Sequence, residues 1–106
     1  MLILKENPTL KDYQEYVKRL EAERGFSSES VLQKCLLLGE EIGELNKAVR
    51  KELKLLKTDR NSKNGSVARE LADVVIIICT IANRLGIDLE TAFRVKEEIN
   101  KKRVWE

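Results

Sequence analysis

Five acidic side chains, Glu40, Glu41 and Glu44 in LGEEIGEL and Glu70 and Asp73 in RELADVV, stand at the spacing of one helix turn. Residues three apart share a helix face, and each residue advances about 100° around the axis. Glu41 therefore falls among Leu37, Leu38, Leu45, Ala48 and Leu55, inside a broad apolar arc. Glu44 lies at the edge of that arc, and Glu40 points farther round, toward Lys47 and Lys51. Glu70 and Asp73 share their face with Ile77 and Ile81, with Thr80 close by. Two such pairs on successive helices can face each other across a hairpin. Carboxylates converging in a partly dry site repel, and they stay ionised only where cations neutralise them. Hard oxygen donors without nitrogen or sulfur point to Mg2+ or Mn2+. Mg2+ held by a few carboxylates takes its remaining ligands from water and substrate phosphates, so the pattern points to metal-assisted phosphate chemistry. Read singly, each pair is ordinary: EExxE is a solvated flank with lysine partners, and Glu70 with Asp73 is an acidic helix start. The argument rests on their joint occurrence.

Composition narrows the remaining chemistry. The chain has 106 residues, 42% apolar and 36% charged, with one proline and five glycines. That mix fits one helical domain with a charged exterior, and it offers too few turn residues for a β-rich fold. The absence of histidine removes the commonest general base and the usual zinc ligand, leaving carboxylates for acid–base and metal work. A net charge of +2 speaks against a nucleic-acid partner, although 47–63 and the 101–103 tail are locally basic. Cys35 and Cys79 sit among apolar residues and read as reduced core thiols. The apolar start MLILKENP is too short for a signal peptide, and no stretch has the length to span a bilayer. These features lead to the expectation of a cytoplasmic protein.

Four helices must position the acidic residues. The first is expected from Thr9 to Arg24, opened by Pro8 and closed by Gly25, with Tyr13, Tyr16, Val17 and Leu20 at helical spacing. The second begins after Ser27 or Ser28 and runs to about Leu56, carrying Cys35, Leu38, Ile42, Leu45, Val49, Leu53 and Leu56 as its stripe. A polar loop over 57–65 follows. It is long enough to run back and bring the two acidic pairs level, since nine residues reach about 30 Å when extended. The third helix is capped by Ser66 and ends near Leu85-Gly86. Its VVIIIC run also suits a strand, but the apolar pattern far exceeds strand length. The fourth helix starts after Asp88 and reaches about Arg103. The third carries no charge from Val74 to Asn83, so it needs cover on nearly every side, and a second subunit is expected to supply it.

The stretches Gly39–Leu45 and Arg69–Val75 together resemble the MazG-like nucleotide pyrophosphohydrolases of the all-α NTP pyrophosphatase superfamily, with their EExxE and ExxD motifs. The resemblance covers about Leu32 to Arg103. It implies an all-α, four-helix MazG-like protomer, residues 1–106 as one domain, in an intersubunit helical bundle, dimer or tetramer. It also implies a Mg2+-dependent enzyme, with Mn2+ as substitute, that splits a nucleoside triphosphate into monophosphate and pyrophosphate. The matching metal ligands would be Glu41, Glu44, Glu70 and Asp73. Glu40, together with Glu41, would be catalytic, with Glu40 orienting or deprotonating the attacking water. Lys96, Asn100 and Arg103, at i, i+4 and i+7 of the last helix, would grip the phosphates. Tyr13, Tyr16, Phe26 and Trp105 are available to stack on a base, although Tyr16 and Phe26 suit the core better. Two rival readings stay open at this point: a phosphoribosyl-ATP pyrophosphohydrolase of the same superfamily, and a helical interaction module without catalysis.

Overall fold

A computed structural model describes residues 1–61 and 65–106, so part of the loop expected over 57–65 lies outside the described residues. Four helices follow in order: α1 (Leu10–Arg24), α2 (Val31–Glu52), α3 (Val67–Arg84) and α4 (Leu89–Asn100). No strand occurs among the described residues, and the VVIIIC run is helical. The all-α expectation therefore holds.

Each helix opens on a side-chain oxygen that satisfies an otherwise unpaired backbone N–H. Thr9 forms a reciprocal capping box with Asp12 at the start of α1. Ser30 does the same with Gln33 at the start of α2, so that helix begins two to three residues later than Ser27 or Ser28 would place it. Ser66 Oγ accepts from Arg69 N–H, and Asp88 accepts from Thr91 N–H.

The helix ends share a second device. α1 closes on Gly25 at φ 78°, with Phe26 N–H donating back to the Glu21 carbonyl. α3 closes on Gly86 at φ 66°, with Ile87 N–H donating to Ala82. Both use glycine where an L side chain is strained. α2 uses the same hydrogen bond, Leu55 N–H to Arg50, around Lys54 at φ 54°. This turn stops α2 at Glu52 although the apolar spacing continues to Leu56. α4 tightens after Asn100 into three-residue hydrogen bonds, Lys102 to Ile99 and Arg103 to Asn100, so Arg103 lies beyond the helix.

The described chain forms two compact units. The first comprises Met1–Ser28 and Cys79–Glu106. Val17 and Leu20 of α1, with Cys79, Thr80 and Ala82 of α3, are buried in it, and α1 touches α4. Burial also raises the proton affinity of the Cys79 thiol. Polar side chains tie this unit together. Gln14 donates to Asn83 Oδ1 (3.1 Å) and the Ile87 carbonyl (2.8 Å), and accepts from Leu89 N–H (2.9 Å). Arg84 grips Glu21 with two hydrogen bonds of 2.9 and 2.7 Å and also donates to the Phe26 carbonyl. Phe26 itself is exposed, contrary to the core role its type suggested. Its backbone carbonyl is held by Arg84.

The second unit, Glu29–Ile78, contains α2 and the first part of α3. Its buried positions on α2 are Lys34 and Ala48, with Leu37, Leu38, Glu41 and Leu45 half-buried. Lys34 and Ala48 each lie seven residues from Glu41, so each falls within about 20° of it around the helix. The covered face is thus centred on Glu41. Cys35, about 100° from Lys34, is exposed and not a core thiol. On α3, Glu70 and Ile77 are buried, while Leu71, Val75 and Ile78 are exposed.

Glu21 is only 2% exposed, so removing its bidentate partner leaves a carboxylate with less compensation in a nearly dry place. Arg84→Ala is expected to lower unfolding free energy by about 3 kcal/mol, measured by urea titration followed by circular dichroism.

Candidate metal centre

The first turn of α3 fixes two of the acidic residues. Ser66 holds that turn through Arg69 N–H, and Glu70 N–H donates to the Ser66 carbonyl at 3.0 Å. Asp73 follows one turn later on the same face. Glu41 meets them from the centre of the covered face of α2. One carboxylate oxygen from each of Glu41, Glu70 and Asp73 lies within 4.8 Å of the other two. Glu70 is buried, Glu41 half-buried and Asp73 exposed.

The electrostatics follow from this placement. Partial burial, and then the charges of Asp73, Glu70, Glu44 and Glu40 in that order, raise the proton affinity of Glu41 above the ordinary carboxylate value. Glu44 stands outside the three-oxygen group and is exposed, yet its charge and that of Glu40 are felt at Glu41.

The donor set fits a hard divalent cation. Oxygen ligands sit about 2.0–2.6 Å from Mg2+ or Ca2+, so two oxygens of one shell are at most about 4–5 Å apart. The cluster, whose three oxygens lie within 4.8 Å of one another, meets the wider of those limits, and its carboxylates carry the negative charge such an ion would offset.

The other residues expected at the site lie in the first unit. Lys96 is exposed on α4. Asn100 Oδ1 is buried and accepts no hydrogen bond from the described residues. Arg103 follows the helix rather than continuing its face, and its guanidinium lies over the Trp105 ring, 6.0 Å from the centroid. Two features escaped the sequence reading. Lys34, buried and paired with Glu29 at 2.9 Å, precedes Glu41 by two turns on the same face, a spacing visible in the sequence. Gly65 abuts the Glu70 carboxylate, and only coordinates reveal that contact.

With this geometry in view, the chain was compared with known proteins. The model of the MazG nucleotide pyrophosphohydrolase domain matches residues 26–104. The chain belongs to this family. The matched span takes in α2, α3 and α4 with both acidic motifs and leaves α1 outside. The crystal structure of iMazG from Vibrio DAT 722 is similar at a TM-score of 0.63 and 32% identity, covering 89% of this chain and 99% of that one. A dATP/dGTP diphosphohydrolase of Salmonella phage PMBT28 is 42% identical over 65 residues, which is 61% of this chain. The match spans only 21% of that relative's length. No helix among the described residues is long and apolar enough to cross a membrane.

The raised proton affinity of Glu41 has a sign that can be tested in this MazG domain. Above the ordinary carboxylate range, the unfolded chain binds fewer protons at this position than the folded one, so stability falls as pH rises through the Glu41 value. In metal-free buffer, melting temperature is expected to drop across that window in the native chain. The drop should be smaller in Glu41→Gln, as followed by circular dichroism from pH 4 to about pH 8.

Proposed function

We propose that this chain is a Mg2+-dependent nucleoside triphosphate pyrophosphohydrolase that releases a nucleoside monophosphate and pyrophosphate, with non-standard or excess nucleotides as its substrates. The observation that carries the reading is the convergence of Glu41, Glu70 and Asp73 inside a MazG domain. The name of the phage relative, a dATP/dGTP diphosphohydrolase, supports a nucleotide substrate and puts purine deoxynucleotides first among those to test.

Glu41, Glu44, Glu70 and Asp73 would hold the metal. Bound there, Mg2+ would sharpen a water nucleophile and offset charge building on the phosphate oxygens, and Mn2+ would substitute. The chain's own residues do the rest. Water oxygen forms a bond to the α-phosphorus as the bond to the leaving pyrophosphate breaks. The proton of that water needs an acceptor, and with no histidine in the chain a carboxylate has to serve. Glu40, next to Glu41, is assigned to orient the water and accept that proton. Lys96, Asn100 and Arg103 are assigned to the phosphates. Among the described residues the buried Asn100 Oδ1 meets no hydrogen-bond donor, which supports its assignment.

The reading includes one MazG-like domain over 1–106, a cytoplasmic location, and a homo-oligomer, dimer or tetramer, in an intersubunit bundle. Leu71, Val75 and Ile78 are exposed at i, i+4 and i+7 of α3, and Leu32 and Leu36 are exposed on α2. Exposed apolar side chains along a helix face support an association surface.

Two experiments test these assignments. The chain is incubated with Mg2+ and a panel led by dATP and dGTP, including modified nucleotides and phosphoribosyl-ATP, and pyrophosphate release is measured. Turnover of at least one nucleoside triphosphate is expected, and Glu44→Gln and Asp73→Asn should each lower it about 100-fold or more with helicity intact. Release from phosphoribosyl-ATP alone would move the substrate to that compound. No release with Mg2+ or Mn2+ from any substrate would favour an interaction module. Separately, Val75→Lys is expected to convert the assembly to a smaller species in size-exclusion chromatography with light scattering.

A further inference from the structure

Gly65 has a metal-centre carboxylate in the space its side chain would fill. A Cβ there would collide with Glu70 Oε1 and stand 3.1 Å from Cδ and 3.5 Å from Cγ of the same residue. A Cβ at Gly25, Gly39, Gly43 or Gly86 would meet nothing within 4 Å. Gly25 and Gly86 take the left-handed conformation, whereas at Gly65 the constraint is the carboxylate that a side chain would meet. The neighbouring Ser66 holds the first turn of α3 and receives Glu70 N–H, which fixes the Glu70 backbone relative to Gly65. Glu70 is only 9% exposed.

We infer that Gly65 is a positioning residue: the missing side chain sets where the Glu70 carboxylate sits among Glu41 and Asp73, and hence how tightly the cluster holds a divalent ion. This inference rests on the metal-centre reading above. The contact is with the far end of a flexible side chain, so an added methyl displaces the carboxylate at small cost to the fold. Metal ligation is far less tolerant, because ligand distances must hold to within about 0.2 Å.

The test uses the full chain, with Mn2+ affinity measured by electron paramagnetic resonance and metal-free melting by circular dichroism. Gly65→Ala is expected to weaken Mn2+ binding about tenfold while melting within a few degrees of native. Glu70→Asp, one methylene shorter, should weaken binding in the native background but add little in the Gly65→Ala background, a non-additivity expected only if Gly65 acts through Glu70. Thr9→Ala, which removes the cap of α1, should lower the melting temperature without changing Mn2+ affinity, which separates lost stability from positioning. If Gly65→Ala binds Mn2+ as the native chain does while Glu70→Gln binds weakly, Gly65 has no positioning role and the metal reading stands. If neither variant changes affinity, both readings fall. Should Gly65→Ala fail to fold, Glu70→Ala in the same background must restore folding; if it does not, the collision lies elsewhere and the inference is overturned.

Discussion

Repulsion among Glu41, Glu70 and Asp73 is the constraint around which the second unit is organised. Two unit charges about 5 Å apart repel by about 3 kcal/mol at an effective dielectric near 20, and by less where water screens them, as at Asp73. That is a large fraction of the roughly 5–15 kcal/mol that holds a typical domain together. In the absence of an ion, the cluster raises the proton affinity of Glu41, the member that feels all four neighbouring carboxylates. A divalent cation would meet the cost by charge compensation. A face of α2 built only for packing would carry leucine at position 41, between Lys34 and Ala48. On the proposed reading, the position is explained by what it can bind and not by what it packs against.

The cost is tolerable only if the carrier elements hold their shape. α3 carries two of the three oxygens and is fixed at each end by a different device. Ser66 holds its first turn. At its last turn, Asn83 and Arg84 are hydrogen-bonded to Gln14, Glu21 and Phe26. Both are polar arrangements with definite geometry, unlike the small set of buried apolar residues, Val17, Leu20, Ala48, Ile77, Cys79 and Ala82. Hydrophobic burial is non-directional and sets no rotation of a helix about its axis. Hydrogen bonds from Asn83 and a bidentate guanidinium at Arg84 do set one within the first unit.

The acidic motifs were legible because helix periodicity converts spacing into direction. Glu41 inside an apolar arc, and Glu70 with Asp73 one turn apart, required only the 3.6-residue repeat. Helix ends were less legible. The end of α2 depends on Lys54 taking a left-handed conformation, and lysine gives none of the signal that glycine gave at Gly25 and Gly86. The start depends on Ser30-Val-Leu-Gln33, a capping-box pattern two to three residues past the earlier serines. Exposure of Cys35 and Phe26 was misjudged because residue type sets an average burial, while actual burial follows from rotation about the helix and from what is near. The off-helix position of Arg103 reflects the tightened turns after Asn100, which a repeat of three and four residues does not foresee.

The three clustered carboxylates are not equivalent, and their inequality bears on how such a centre would work. Glu70 is buried and Glu41 half-buried, whereas Asp73 and the neighbouring Glu44 are exposed. A buried ligand loses its rotameric freedom on folding and so needs little further ordering when an ion arrives. An exposed ligand keeps that freedom and stays open to water and to incoming phosphate oxygens. On the proposed reading, Glu70 and Glu41 form a floor that presets the position of the metal, and Asp73 and Glu44 form a rim that closes as substrate is engaged. Enclosing all four would raise their mutual repulsion and seal out a triphosphate. Exposing all four would leave the metal to be positioned anew at each turnover. The observed gradient from buried to exposed avoids both.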